Sequence, residues 1–151
     1  MPKRPARNFR RNQSSLQPFA IAAWAACAAQ QKLARDIQIL AFDSAGGSAV
    51  PASYFVLCSV DSSAQHRAVT RAISGLMQQW HGLMPENSDQ DASARWTVLD
   101  YGSVLIHVMR GSDRAYYDLE AVWADNASRV PAAFWETLEP PQSDDSVRIA
   151  S

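Results

Sequence analysis

Apolar positions along the chain recur with two different periods, and the change from one to the other divides it into elements. Ile37 to Phe42 and Tyr54 to Val60 are short runs rich in aromatic and β-branched residues, the length and composition of strands, with a loop-forming Asp43-Ser44-Ala45-Gly46-Gly47-Ser48 between them. From Ser62 or Ser63, side chains suited to cap a helix, to about Trp80, the residues Val69, Ala72, Ile73, Leu76, Met77 and Trp80 fall on one helical face. Gln65, Arg67, Arg71, Ser74 and Gln78 fall on the other. Trp96 to Leu99 and Val104 to Met109 flank a Gly-containing turn at Asp100 to Ser103, which predicts a β-hairpin. The second of these runs is apolar on both alternating sides except for His107, so it is expected as an interior strand covered on both faces. Arg114 to Tyr117 reads as one more short strand, followed by a helix capped by Asp118 with Leu119, Val122 and Trp123 turned inward. Upstream, Phe19 to Ala34 is Ala-rich and helix-favouring, with Ile21, Trp24, Ala25 and Ala28 as its apolar stripe. Gly82 to Ala94 is a polar, acidic connection with room for a short irregular strand, and Pro131 to Leu138 reads as a short helix with Pro at its first position.

Strands interleaved with helices predict the α/β class, here a mixed β-sheet of about five strands flanked by helices. With 151 residues, 47% of them hydrophobic, the chain can bury one core and is expected to form a single domain. Its expected limits are residues 19–128, between a basic flexible extension or transit segment at 1–18 and a Pro-rich acidic tail at 129–151. The longest apolar run, Phe19 to Ala29, is too short to span a bilayer, so no membrane role is expected. Cys27 and Cys58 lack metal-ligand or redox spacing and read as buried free thiols.

The formal net charge of -1 hides an uneven distribution. Residues 1–35 carry seven basic residues and no acid, whereas 36–151 carry the other seven against all fifteen acids, a net charge of -8. An acidic folded body steers toward basic partners, and the basic head toward phosphate or an import receptor.

Candidate chemistry is sparse. Gly46-Gly47-Ser48 is comparable with the Gly-Ser opening of nucleotidyltransferase sites, but no closely spaced pair of carboxylates follows on Tyr54 to Val60 to hold magnesium. His66, His81 and His107 show no metal-ligand spacing, and no nucleophile-elbow motif accompanies them. His107 is expected to be a hydrogen-bonded structural residue, or else part of a surface near Asp100. The unusual feature is an acidic and aromatic cluster around the hairpin, formed by Trp96, Asp100, Tyr101, Tyr116, Tyr117, Asp118 and Glu120. Rings beside carboxylates are what an interface uses to grip a basic protein, although Trp123 and one of the tyrosines read as core.

These residues also carry a family resemblance. Trp96-Thr-Val-Leu-Asp100-Tyr-Gly102-Ser-Val-Leu-Ile-His107-Val-Met, followed by Arg114-x-Tyr-Tyr117-Asp118-Leu119-Glu120-x-x-Trp123, closely resembles the signature of the ribosomal silencing factors, or Iojap family. The resemblance extends upstream through Lys32 to Ile37, Tyr54 to Leu57 and Ser62 to Gln65. It implies a non-enzymatic domain of nucleotidyltransferase-like shape without the catalytic carboxylates, and with no cofactor or metal. It also implies binding to the large ribosomal subunit through ribosomal protein L fourteen, which blocks joining of the small subunit, and in organellar members a part in large-subunit assembly. The family's contact Trp and Asp match Trp96 and Asp100, and the expected partner-binding set is Trp96, Asp100, Tyr101, His107, Tyr117, Asp118 and Glu120. The basic extension is expected to touch ribosomal RNA. Ser53, Ser103 and Val60-Asp61-Ser62 depart from the family pattern. With the acid-free start they point to a mitochondrial matrix member, for which an LYR-motif protein with acyl carrier protein is an expected partner; the alternative is a bacterial cytoplasmic one. The competing function is a nucleotide-handling enzyme on the same fold.

Overall fold

The computed structural model describes residues 17–43, 50–86 and 95–139. In chain order these form α1 (Pro18–Gln31), β1 (Arg35–Phe42), β2 (Tyr54–Val60), α2 (Ser63–His81), β3 (Trp96–Asp100), β4 (Val104–Arg110), α3 (Gly111–Tyr117), α4 (Leu119–Val122) and β5 (Ala127–Val130), then one 3-10 turn (Ala132–Phe134). The sheet order is β3-β4-β2-β1-β5. Only β2 and β4 run parallel; the other three pairings are antiparallel. The sheet is therefore mixed, as expected.

Alternation along the strands creates two unlike faces. The first carries Ile39, Val56, Cys58, Val60, Leu99, Val104, Ile106 and Val108, all fully buried, beneath α1 and α2. α1 buries six alanines with Ile21 and Cys27, because side chains this small let the helix approach both the sheet and α2. α2 is the helix its periodicity predicts. The Ser62 hydroxyl accepts the Gln65 amide at 3.0 Å, Val69, Ile73 and Met77 are fully buried, and Gly82 closes it in the left-handed region at φ 64°. The stripe is displaced from the expected one, since His66 and Thr70 are buried while Trp80 is 38% exposed. The second face carries Leu40, Phe55 and Leu57 under Leu119 and Trp123 of the α4 segment. The Trp123 ring meets Phe42 and Phe55 edge-on at 5.4 and 6.2 Å, so it is core.

Three expectations change. Arg114 to Tyr117 lie in α3, not in a strand: β4 already has β3 on one side and β2 on the other, which leaves no edge for another strand to join. Asp118 (φ 43°) breaks that helix and caps the next, as predicted, but α4 is one turn long and leaves Val122 62% exposed. The folded body also extends past residue 128. β5 pairs antiparallel with β1, from Ile39 opposite Val130 to Phe42 opposite Ala127. Beyond it Trp135 is 5% exposed in the first-face core, and the Cys27 thiol donates to the Leu138 carbonyl at 2.8 Å. Residues 82–86 form no strand. Gly46 to Ser48, the basic stretch 1–16, residues 87–94 and the expected flexible end at 142–151 lie outside the described residues.

Candidate functional site

On β3 the even and odd positions part company. Thr97 and Leu99 are buried toward α2, and Trp96, Val98 and Asp100 stand half-exposed on the second face. Antiparallel register sets Val98 beside His107 and Asp100 beside Leu105. α3 and α4 cover the β2 side of this face and leave the β3 side open.

A ladder of rings crosses the open region from core to water. Phe55 packs on His107 at 4.5 Å, His107 on Trp96 at 5.9 Å, Trp96 on Tyr117 at 5.0 Å, and Tyr117 edge-on to Tyr116 at 5.0 Å. Exposure rises along it, from 5% at His107 through 48% at Tyr117 to 81% at Tyr116. The Trp96 indole N–H donates to His107 Nδ1 at 3.1 Å, so His107 is neutral with its proton on Nε2. Burial and, secondarily, the Arg114 charge push its pKa down to about 4. A histidine so held cannot act as a proton shuttle near neutrality; it fixes the Trp96 ring instead.

The acids around the ladder have separate tasks. Asp100 Oδ1 accepts the Gly102 amide at 2.8 Å, which forms an Asx turn where Gly102 adopts φ 82°, and the other carboxylate oxygen is left to solvent or a partner. Asp118 spends its carboxylate on the Ala121 amide at 3.4 Å. Glu120 faces inward: Arg114 reaches it through Nε and Nη2 at 3.3 and 2.8 Å and also donates to Ser59 at 3.0 Å. Burial raises the Glu120 pKa, but the Arg114 hydrogen bond and charge outweigh it and the net shift is downward. Beside this pair lies a pocket of about 420 Å³ between α4 and the β1–β5 edge, floored by Leu40 and Ala127 and walled by Asp118, Glu120 and Arg129.

Of the seven residues expected at the site, Trp96, His107 and Tyr117 come together, and Asp100 lies on the same face at the far end of β3. Asp118 stands at the α3–α4 corner, adjoining Tyr117. Glu120 belongs to an internal ion pair, and Tyr101 packs into the first-face core with its hydroxyl buried and its pKa pushed up to about 12 by that burial. Sequence reasoning overlooked Phe55 and Arg114. Arg114 and Glu120 are six residues apart, a spacing that no single helix brings together, so nothing in the pattern marks them as partners. Among the described residues no three His, Cys, Asp or Glu side chains converge to hold a metal ion, and no helix is long and apolar enough to cross a membrane.

Residues 13–150 match the family described as ribosomal silencing factor during starvation. The chain is 38% identical over 114 residues to the ribosomal silencing factor RsfS of Bacillus subtilis, which covers 76% of this chain and 89% of that one. A shorter match, 33% over 48 residues, covers 32% of this chain and 25% of the Iojap-related mitochondrial protein of Arabidopsis thaliana. The fold superposes on a crystal structure of a Chromobacterium violaceum protein with a TM-score of 0.63 at 25% identity, over 72% of this chain and 88% of that one.

Proposed function

The chain belongs to the ribosomal silencing factor family, and on that premise we propose that it silences translation by binding rather than by chemistry. It grips ribosomal protein L fourteen on the large subunit with the open second face of the sheet, and its bulk then keeps the small subunit from joining. The observation that carries this reading is the ring ladder. A half-buried Trp96, oriented from below by His107 and flanked by Tyr117, is a rigid aromatic anchor on the face that carries the Asp100 carboxylate at the far end of β3. For its compartment, alignment to most of the Bacillus subtilis protein against a quarter of the Arabidopsis one favours a bacterial cytoplasm over the mitochondrial matrix. The LYR-motif and acyl carrier protein partners belong to the matrix reading.

Co-sedimentation with purified large subunits tests the proposal. Trp96→Ala should weaken binding by roughly thirty- to a thousand-fold, the loss of about 2–4 kcal/mol usual for a central aromatic anchor. Trp96→Phe keeps a ring but not the N–H that holds His107, and should fall in between. A folded Trp96→Ala protein that co-sediments like wild type would remove this face from the interface.

A further inference from the structure

The outer edge of β5 and the pocket beside it are not used by the aromatic face. The Asp43 amide donates to the Asn126 carbonyl at 2.9 Å, one step beyond the pairing of Phe42 with Ala127. Bonded and non-bonded pairs alternate along an antiparallel ladder, so Ser128 and Val130 turn their main-chain groups toward β1 while Ala127 and Arg129 turn theirs outward. β5 is the last strand of the sheet, and among the described residues nothing bonds those outward N–H and C=O groups. Pro131, which has no N–H, ends the edge. The same two residues set their side chains on the second face, where Leu40 stands opposite Arg129. There they border the pocket of about 420 Å³ whose other lining residues are Asp118, Glu120, Ala121 and Ala124. Three alanines keep it open, since a larger side chain at Ala121, Ala124 or Ala127 would fill part of it.

We infer that this edge receives an extended, basic segment of a partner protein as an antiparallel added strand, with one apolar side chain of that segment seated in the pocket. In such additions free main-chain groups supply the affinity and a pocket for an alternate side chain supplies the choice of partner. Here the two features share Ala127 and Arg129. The sign of the partner follows from the charge around the edge. Residues 118–139, which form α4, β5 and the turns beside them, carry five acids against Arg129 alone, a net of -4, or -3 with Arg114 beside Glu120 included. The pocket itself is balanced, Asp118 and Glu120 against Arg129 and Arg114, so an uncharged side chain suits it better than an ion of either sign. Because β5 lies at the opposite end of the sheet from β3, the inference does not depend on the aromatic face.

The test titrates the isotope-labelled full chain with the peptide acetyl-Lys-Val-Lys-Leu-Lys-Val-Lys-amide and follows amide resonances and hydrogen exchange. Exchange at the Ala127 and Arg129 amides should slow on binding, whereas Ser128 and Val130, already paired with β1, should hardly change. Opposed residues of an antiparallel pair share a face, so the peptide's Val and Leu amides point at β5; N-methylating those should cost about ten-fold in affinity, and N-methylating the Lys amides little. Ala121→Leu, at an exposed position, should weaken the peptide about ten-fold but should not weaken a version with Ala in place of Leu. Replacing the lysines by Glu should remove binding at low salt. Trp96→Ala should leave all of this unchanged, so a failure here and a failure of the aromatic face are separable. The inference is overturned if exchange at Ala127 and Arg129 does not respond to saturating peptide, or if the two N-methylated peptides bind alike. It is equally overturned if those amides are already protected in a free chain that sediments as a dimer, which would make a second copy the occupant.

Discussion

At Arg114 a guanidinium only 9% exposed leans on a single carboxylate, that of Glu120. Removing one partner of a buried pair strands the other charge, so Glu120→Ala should cost about 3–5 kcal/mol, read as a lower denaturant midpoint at unchanged slope. The pair links α3 to α4 and Ser59 of β2, so the same change should also loosen the corner that presents Tyr117. His107 gives the fold a pH dependence. Its pKa falls from 6.5 to about 4 on folding because the fold favours the neutral ring. The resulting stabilisation is complete above the unfolded pKa of 6.5 and is lost as pH falls toward 4, an effect of about 3 kcal/mol. Buried His66 shifts in the same direction through burial and the Arg110 charge. Urea midpoints measured between these pH values should decline in wild type and decline less in His107→Gln; a flat wild-type profile contradicts the assignment. The signature marked Trp96 and His107 as separate candidates, and only the cross-strand register of β3 and β4 shows that one holds the other.

Elements with a strong period were legible: the α2 helix with its Ser62 cap, though with its buried stripe rotated toward His66 and Thr70, the β1 and β2 runs, and the hairpin with its glycine turn. β5 escaped because an edge strand of Ala-Ser-Arg-Val has no alternation to read; β1 supplies its hydrogen bonds and it buries little. α3 escaped because whether Arg114 to Tyr117 extend or coil depends on whether β4 has a vacant edge, which no local pattern states. Trp135 tests how far the C-terminal segment belongs to the domain. Trp135→Ala should cost about 3–5 kcal/mol as a core truncation, whereas a tail beyond residue 128 would be indifferent. Ending the chain at Asn126 should also bare the outer edge of β1 and promote association, detectable by light scattering.

For the whole molecule, the charge asymmetry is a statement about encounters. On the proposed function, a chain that sums to -8 over residues 36–151 should meet a basic ribosomal protein faster at low salt, and Asp100→Asn should flatten that dependence while keeping the turn, because an amide oxygen can still accept the Gly102 N–H. Stopped-flow association with large subunits at several ionic strengths checks this, and equal slopes would place Asp100 outside the encounter surface. The sheet order also sets a timetable. β1, near the start of the chain, takes β5 as its outer neighbour only after every other strand has been made, and Trp135 reaches the first-face core later still. Contacts that join distant parts of a chain form slowly and await the last participant. While it is being synthesised, then, the protein remains an unclosed sheet with one side of β1 unpaired. A nascent chain whose β5 has not yet emerged carries β1 as a bare edge, open to pairing with another chain.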